Sequence, residues 1–333
     1  PSLFAATGAS TDAELQENLG TVEYNERIRQ HYETFITEED FRRMSSIGLN
    51  AVRIPVPWHV FGLQNDAATY ISAIDYIDRA MEWGSKYNVS VLLDLATVPG
   101  GQGDSNEPQT TSRYIADWHS STNGRHVALE VLERLAARYA VADALYGIEL
   151  LDSPVMSVRK NMFTMTDGIP GHYLRNFYRD AYDLLRKHMT NDKAVVFSAS
   201  GYPGLWKHFM RSSQYKNVMM DVHLYHYHDE NAQDITSPRG LSAAIARNKA
   251  QIREAVGTGF PVIIGEWSAA AVMSSASVTP EGRSAYERVF VANQLASFSQ
   301  AEGWFFQTWK TEKRIAAWDA RLALGTLERA MLD

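Results

Sequence analysis

The sequence predicts one α/β domain of the TIM-type (β/α)-barrel class. Seven short, nearly continuous apolar segments recur along the 333 residues, and stretches with helical periodicity separate them. Such apolar runs are typical of strands buried on both faces, as in a parallel sheet that helices cover. No internal repeat, low-complexity tract or linker divides the chain, and barrels of this length commonly form one domain. We therefore predict a single domain over residues 1–333.

The predicted strands and helices alternate along the chain. The strands are Ala51–Pro55, Ser90–Leu95, Tyr146–Leu151, Ala194–Ser198, Asn217–Tyr225, Pro261–Trp267 and Gly303–Trp309. The helices are Glu39–Ile47, Ala73–Tyr87, His126–Tyr139, Tyr173–His188, Ser242–Val256 and Ser284–Ala301. The first helix follows an acidic turn at 37–40, which suits a helix N-terminus because of the helix dipole. This alternation indicates a wound α/β fold.

Composition excludes several classes of function. The chain carries 32 basic and 39 acidic residues, a net charge of −7, without a basic run, so we expect no nucleic-acid partner. The longest apolar runs have the length of strands, so we expect no membrane span. Cysteine is absent, which excludes a disulfide and a thiolate metal site and fits a reducing compartment.

Polar and aromatic side chains gather at the ends of the predicted strands. In (β/α) barrels the chemistry lies at the carboxyl ends of the strands and in the loops that follow them. The residues at these positions are Arg53, Asp94, Asp152, Ser153, His223, Tyr225, Glu266, Trp267 and Trp309. One charged residue at a strand end is ordinary, because strands end at water, but their recurrence predicts a functional cleft.

Strings along nearly the whole chain carry a family pattern. They are PSLF at 1–4, FITEEDF at 35–41, GLNAVRIP at 48–55, GIELL at 147–151, GEWSAA at 265–270 and WKTE at 309–312. With them the chain resembles glycoside hydrolase family 5, most closely its fungal exo-β-1,3-glucanase branch. The resemblance implies a β-glucan or oligosaccharide ligand, no cofactor, no metal, and secretion or attachment to the cell wall. The missing cysteines keep a cytoplasmic location open as the alternative.

The resemblance also implies roles for individual residues. Glu266 matches the nucleophile that attacks the anomeric carbon in a retaining mechanism. Arg53 would orient this carboxylate with its guanidinium fork. His223 and Tyr225 would line the same sugar subsite, and Trp309 would form its aromatic floor. Asp152 and Trp267 complete the predicted substrate-binding set.

The position of the catalytic acid departs from the family. The family ends its fourth strand with Asn-Glu-Pro, whereas this chain has Asp152-Ser153-Pro154. A serine hydroxyl is too weak an acid to protonate a departing sugar, and general acid–base assistance supplies about 10²–10⁴-fold. Further departures are Ala96-Thr97-Val98 in place of His-Gly-Ala, Gln307 in place of a tryptophan, and no recognisable aromatic clamp near 101–108 or around 228.

Other acidic and histidine residues could alter this interpretation. Glu107, in a stray Asn-Glu-Pro triplet, and Glu230 are loop carboxylates that could assist departure of the leaving group, and Asp152 is one residue away from the acid position. Neighbouring strand residues face opposite ways, so Asp152 is expected to point elsewhere. His223, His226 and His228, with Asp229 and Glu230, could suggest a metal site, but we interpret the loop members of this group as solvent-facing residues.

Only seven strands are predicted, one fewer than in the family. The family's string Gly-Val-Asn-Leu-Gly-Gly-Trp does not precede Pro1. An unclosed barrel exposes two strand edges. We therefore expect either a homodimer formed through an exposed edge or a rebuilt seven-stranded barrel.

Three functions remain open at this stage. The first is a β-glucan-binding protein in which hydrolysis is lost or severely impaired, a pseudoenzyme on a glucanase scaffold. The second is an active retaining β-glucosidase, exo-β-1,3-glucanase or transglycosylase that uses Glu266 with an unusual or absent acid. The third is a decoy or effector that binds another protein. Turnover of an activated aryl glucoside, but not of plain glucan, would mean that the nucleophile works without an acid.

Overall fold

Seven parallel strands form one sheet that curls into a nearly closed TIM-like barrel. The computed structural model describes residues 2–9, 12–64, 69–101, 118–162, 164–227, 233–273 and 279–325. The barrel strands, in spatial order, are β1 (Ala51–Val56), β4 (Ser90–Leu95), β5 (Leu145–Glu149), β8 (Ala194–Ser198), β9 (Val218–His226), β10 (Val262–Ala271) and β11 (Gly303–Phe306). Four two-residue strands form two small additional sheets: β2 (Leu63–Gln64), β3 (Thr69–Tyr70), β6 (Met156–Ser157) and β7 (Ile169–Pro170). The predicted fold class and its seven strands are confirmed within the described residues.

Helices cover the outer face of the barrel. They are α1 (Ser2–Thr7), α2 (Asp12–Leu19), α3 (Thr21–Thr34), α4 (Glu38–Ser46), α5 (Ile74–Tyr87), α6 (Thr122–Tyr139), α7 (Gly171–Leu185), α8 (Pro238–Val256), α9 (Pro280–Ser297) and α10 (Ala320–Ala323). None of the helices in the described ranges combines the length and apolar character needed to cross a bilayer.

Three helices begin about four residues earlier than their apolar periodicity predicts. In each, a hydroxyl side chain at the N-cap accepts a hydrogen bond from a backbone N–H of the first turn. Ser121 caps α6, Ser237 caps α8 and Thr279 caps α9. The cap satisfies a donor that the helix itself leaves without a partner, so the first turn forms before the apolar face begins.

Strand alternation separates the barrel interior into layers. A small cluster that includes Leu92, Val196, Met219 and Ile263 fills one level of the interior with apolar side chains. Two residues further along two of these strands, the same face carries an acidic side chain: Asp94 after Leu92, and Asp221 after Met219. The apolar layer therefore supports a polar layer above it.

A β-bulge in β10 aligns two polar side chains. Ile264 pairs with Val222, but the next pair is Glu266 with His223, so Gly265 is the extra residue. A bulge of this kind re-aims the side chain that follows it. Glycine is required here because a Cβ at position 265 would collide with the carboxylate of Asp221.

The barrel wall has a gap between its first and last strands. In the described sheet, β1 pairs with β4 alone and β11 with β10 alone. A cavity of about 1210 Å³ lies along this gap, and residues of both strands line it together with Glu266. The expected homodimer through this edge stays a prediction.

Candidate active site

Arg53 is the centre of the charged layer. Its guanidinium donates from Nη1 to Glu266 Oε1 at 2.7 Å, from Nε to Glu149 Oε2 at 2.9 Å, and from Nη2 to Asp152 Oδ1 at 2.9 Å. Asp94 Oδ2 lies 3.1 Å from Nη2. The Arg53 side chain is only 5% exposed, so one buried cation faces four carboxyl groups.

Burial acts most strongly on two of these carboxyl groups. Asp94 and Glu149 are fully buried inside the barrel. Burial raises the pKa of both carboxyl groups well above their usual range, and Arg53 offsets this only in part. The neutral forms of these two acids are therefore favoured relative to those of exposed carboxyl groups.

His223 forms a second buried cation. Its Nε2 lies 2.6 Å from Asp221 Oδ2, and Asp221 is fully buried. Burial disfavours the imidazolium, but Asp221 and Glu266 outweigh it and raise the pKa of His223 to about 10. Burial alone would raise the pKa of Asp221, whereas the His223 charge lowers it below its ordinary value. The two residues form an ion pair at neutral pH.

Two hydrogen-bond donors and the His223 ring surround the Glu266 carboxylate. Arg53 donates to Oε1 at 2.7 Å, and the Tyr225 hydroxyl donates to Oε2 at 2.7 Å. His223 Nδ1 lies 3.5 Å from Oε2, as an ion-pair contact. The Tyr225 hydroxyl also contacts the amide oxygen of Gln307. Burial, followed by the Glu266 charge, raises the pKa of Tyr225 well above its usual range, so this phenol remains a donor. The arrangement fixes both carboxylate oxygens of Glu266 within β10, directly after the bulge.

Ser153 lies on the opposite side of the same imidazole from Asp221. Its Oγ is 2.8 Å from His223 Nδ1, and its backbone has the left-handed φ of 34°. Because the imidazolium carries hydrogen on both nitrogens, Nδ1 donates to Ser153 Oγ and leaves the serine hydrogen for another acceptor. Ser153, His223 and Asp221 thus have the connectivity of a hydrolase triad, but a protonated imidazole cannot take the serine proton.

Asp152 contacts both buried cations. Its Oδ1 accepts from Arg53 Nη2 at 2.9 Å and lies 3.8 Å from His223 Nε2, whereas Ser153 and Glu266 both face Nδ1. The expectation that Asp152 points away from the acid position stays a prediction. Glu107 and Glu230 lie outside the described residues.

The two predicted aromatic residues, Trp267 and Trp309, lie in different surroundings. Trp267 is fully buried, and its ring packs edge-on against Phe298, Trp304 and Phe306. It has no surface for a ligand, so its assignment as a substrate-binding residue is corrected to a core role. The prediction fails because Trp267 follows Glu266 on the strand beyond the bulge at Gly265, so its side chain faces the opposite way, into the main hydrophobic core.

Trp309 lines the cavity beside β1 but is largely covered. It is 8% exposed, and its indole N–H donates to Asp40 Oδ1 at 2.8 Å. Its role as sugar floor stays a prediction. Two half-buried aromatic residues that the sequence did not single out, Tyr227 and Trp318, also line the cavity with Glu266. Their ring centroids are 4.9 Å apart, and Trp318 lies 5.8 Å from the Tyr225 ring.

Three buried acids belong to the site, of which the sequence analysis listed only Asp94, as a strand-end residue. Asp94, Glu149 and Asp221 each interrupt an otherwise apolar strand. A charged residue inside a strand that is buried on both faces is unusual without a partner, and this was the available signal. Asp94 and Glu149 contact Arg53 from another strand, whereas Asp221 contacts His223 two residues along its own strand.

The arrangement argues against a metal centre at two places. Glu149, Asp152 and His223 are close enough to share an ion, but Arg53 already binds both carboxyl groups. His226 is buried, and its ring nitrogens contact Asn248 at 2.8 Å and Arg247 at 2.9 Å. The remaining candidates, 228–230, lie outside the described residues.

Comparison with known proteins agrees with this geometry. Residues 10–304 match the family model described as cellulase, glycosyl hydrolase family 5. The chain is 29% identical to a glucan 1,3-beta-glucosidase of Schwanniomyces occidentalis, covering 91% of this chain and 75% of that protein. It is 30% identical to a glucan 1,3-beta-glucosidase of Blumeria graminis, covering 88% of this chain and 73% of that protein.

Solved structures show the same fold at lower identity. The rutinosidase from Aspergillus niger superposes with a TM-score of 0.76 at 19% identity, covering 96% of this chain and 87% of that one. Cel5A of Thermotoga maritima, solved with cellobiose, superposes with a TM-score of 0.58 at 14% identity, covering 89% of each chain. At these identities the likeness concerns the barrel alone.

Proposed function

The chain belongs to glycosyl hydrolase family 5, and on that basis we propose that it is a β-glucan-binding protein whose hydrolysis of glucan is lost or severely impaired. One observation carries the proposal: the acid position of the family holds Ser153, which has no carboxyl group, and its Oγ lies 2.8 Å from the same His223 Nδ1 that lies 3.5 Å from Glu266 Oε2. The proposal treats residues 1–333 as one domain, with secretion or attachment to the cell wall as its location.

The chemical deficit concerns the leaving group. A retaining mechanism uses two carboxyl groups about 5–5.5 Å apart, one to attack and one to protonate the departing oxygen. Within the described residues, the carboxyl groups near Glu266 are either buried below it with Arg53 or turned toward His223 Nε2. Without an acid, departure of a sugar alkoxide loses an assistance of about 10²–10⁴-fold.

The binding half of the site supports retained affinity for sugars. Arg53, Tyr225 and Glu266 present fixed polar atoms, and Tyr227 and Trp318 offer half-exposed aromatic surface nearby. Pockets of this kind, apolar with a few convergent polar groups, are typical of ligand sites. These residues, with His223 and Asp152, would therefore bind a terminal glucose unit.

Titration with laminari-oligosaccharides, combined with a product assay on the same samples, tests the proposal. We expect saturable binding in calorimetry and no glucose release from laminarin above the rate of a Glu266→Gln control. Cleavage of laminarin at rates normal for the family would overturn the proposal. Absence of both binding and cleavage would also contradict it and favour a protein partner.

An active enzyme with altered chemistry is the second candidate, and a specific observation favours it. Glu266 keeps two hydrogen bonds of 2.7 Å and an ion-pair contact of 3.5 Å with His223 Nδ1, which together fix the orientation of its carboxylate. Such a carboxylate can attack an anomeric carbon when the leaving group needs no proton. Turnover of an activated aryl glucoside, together with inert laminarin, would support this candidate.

A further inference from the structure

The site combines an ordered attacking carboxylate with a cationic hydrogen-bond chain where the acid should stand. We infer that it cleaves β-glucosyl donors whose leaving group departs as a carboxylate, that is, 1-O-acyl β-glucosides. The inference rests on the proposed function, because it needs the glucose unit to bind beside Glu266. It adds the substrate class that this altered site can still process.

The leaving side can stabilise negative charge but cannot supply a proton. His223 Nε2 is held by Asp221 at 2.6 Å, and its Nδ1 donates to Ser153 Oγ at 2.8 Å. The Ser153 hydrogen is then free to donate to an oxygen that leaves from the sugar. A donor polarised by a neighbouring cation makes a stronger hydrogen bond to an anion than a neutral donor alone. The hydrogen-bond chain from Asp221 through His223 to Ser153 therefore places a donor that stabilises an anion where the family has an acid.

Leaving-group basicity then decides which donors react. A carboxylic acid has a pKa of about 4, so a carboxylate departs as a stable anion at neutral pH. A phenol resembles tyrosine, with a pKa of about 10, and therefore needs more assistance. A sugar hydroxyl is a weaker acid still. One hydrogen bond from Ser153 suffices for the carboxylate and leaves a glucan bond intact.

The charge balance of the site agrees with departure of an anion. Burial raises the pKa of Asp94 and Glu149 well above their usual range and favours their neutral forms, while the cations Arg53 and His223 contact Asp152, Asp221 and Glu266. When Glu266 becomes a glycosyl ester, its negative charge disappears. The two cations then balance the two remaining carboxylates, and the released anion meets no excess negative charge from these groups.

Both steps balance without a further reagent. A Glu266 carboxylate oxygen bonds to the anomeric carbon, and the bond from that carbon to the acyl oxygen breaks, with its electron pair leaving on the carboxylate. Water then attacks the anomeric carbon, the bond to Glu266 breaks, and the water proton goes to the solvent. The products are glucose, a carboxylate and a proton.

The same products would arise if Ser153 attacked the acyl carbon as an esterase, so the test must identify the bond that breaks. Hydrolysis of 1-O-benzoyl-β-glucose in ¹⁸O-labelled water distinguishes the two routes by mass spectrometry. We expect the label in glucose and none in benzoate. Label in benzoate would overturn the inference and assign an esterase reaction instead.

Variants of the full chain separate the roles of the two sides. Glu266→Gln should lower turnover of benzoyl glucose by about 10³-fold or more, as for loss of a nucleophile. Ser153→Ala should lower it by about tenfold or more, the effect of one hydrogen bond to a charged group. A far-UV circular dichroism spectrum and a urea unfolding midpoint close to those of the wild type show that each variant remains folded. An unchanged rate in either variant would contradict the inference.

Parallel titration with laminaribiose keeps the two proposals apart. Binding without any turnover of benzoyl glucose overturns the inference and leaves the proposed function standing. Turnover with the label in glucose, together with rapid laminarin cleavage, overturns the proposed function and supports the reaction at Glu266. Neither binding nor turnover contradicts both.

Discussion

The two sides of the cleft differ in how completely they are built for cleavage of a glycosidic bond. On the attacking side, Arg53 and Tyr225 donate hydrogen bonds to Glu266, and His223 lies beside it as an ion-pair partner. On the leaving side, the loop after β5 presents Ser153 with a hydrogen bond to a protonated His223. On our proposal, the attacking side can form a glycosyl ester, whereas the leaving side can only stabilise charge.

On the proposed function, this difference means that the two halves of a retaining site can be lost separately. The ion pair of Asp221 with His223 and the network of Arg53 depend on strands inside the barrel, so they persist as long as the barrel folds. The acid position lies in a loop, where one substitution can remove a proton donor without disturbing the strands. We propose that a folded site with half of its chemistry is the result.

The largest effect is expected on the attacking side. Glu266→Gln should lower turnover of 2,4-dinitrophenyl β-glucoside by about 10⁴-fold or more, since it removes the nucleophile. Binding of laminari-oligosaccharides should change little, because the amide keeps the shape of the carboxylate. Initial rates and calorimetry on the same samples measure both. A variant that keeps more than a tenth of the rate would show that Glu266 is not the nucleophile.

Restoring a carboxyl group on the leaving side should have the next largest effect. Ser153→Glu should raise glucose release from laminarin by about 10²-fold, the lower end of what general acid assistance supplies. The lower end is expected because Gln307 and the segment 96–98 also depart from the family. Ser153→Gln is the matched control, since it has the same length without an acidic proton. An equal rate in the two variants would show that a proton is not what the site lacks.

The ion pair between the two sides should make stability depend on alkaline pH. His223 titrates near 6.5 when unfolded, whereas its folded pKa is about 10. A raised folded pKa contributes stability that is fully present below 6.5 and is lost as the pH rises toward 10. Urea unfolding at pH 6.5, 8 and 9.5 should show this decline, and Asp221→Asn should weaken it. A wild-type free energy of unfolding that is constant from pH 6.5 to 9.5 would contradict the ion pair.

A smaller effect is expected at the bulge that aligns the two sides. Gly265→Ala places a methyl group against the Asp221 carboxylate, and overpacking of this kind costs about 1–3 kcal/mol of the free energy of unfolding. Gly303→Ala in β11 is the matched control, because nothing lies within 4 Å of its added methyl group. Chemical denaturation measures both. Equal stabilities would mean that the bulge tolerates a side chain and that Asp221 moves freely.

The sequence predicted the barrel better than it predicted the cleft. Strands buried on both faces leave continuous apolar runs, so the seven barrel strands were found with small shifts at their ends. Helix starts were missed at α6, α8 and α9 because a cap residue, not apolar periodicity, sets the first turn. The bulge at Gly265 could not be predicted from the sequence, because it appears only in the pairing of β10 with β9. Beyond this bulge Glu266 faces the site and Trp267 is buried in the core.

The buried acids show the same limit. Asp94 and Glu149 each stand out as a charged residue in an apolar strand, but only the assembled barrel brings them to Arg53. Asp221 contacts His223 two residues along the same strand, yet one strand does not reveal the burial that shifts the pKa of these groups. The replacement at Ser153, in contrast, is visible in the sequence because it occupies a position set by a contiguous motif.

The dependence of wild-type turnover on leaving-group acidity is the most direct test of the missing proton donor. A series of aryl β-glucosides, from dinitrophenol to plain phenol with a pKa near 10, can be compared by kcat/KM at one pH. We expect kcat/KM to fall by about 10²–10⁴-fold across the series, the share that an acid would have supplied. A series that stays level within a few-fold would show that a proton reaches the leaving oxygen and would contradict the assignment of Ser153 as a lost acid.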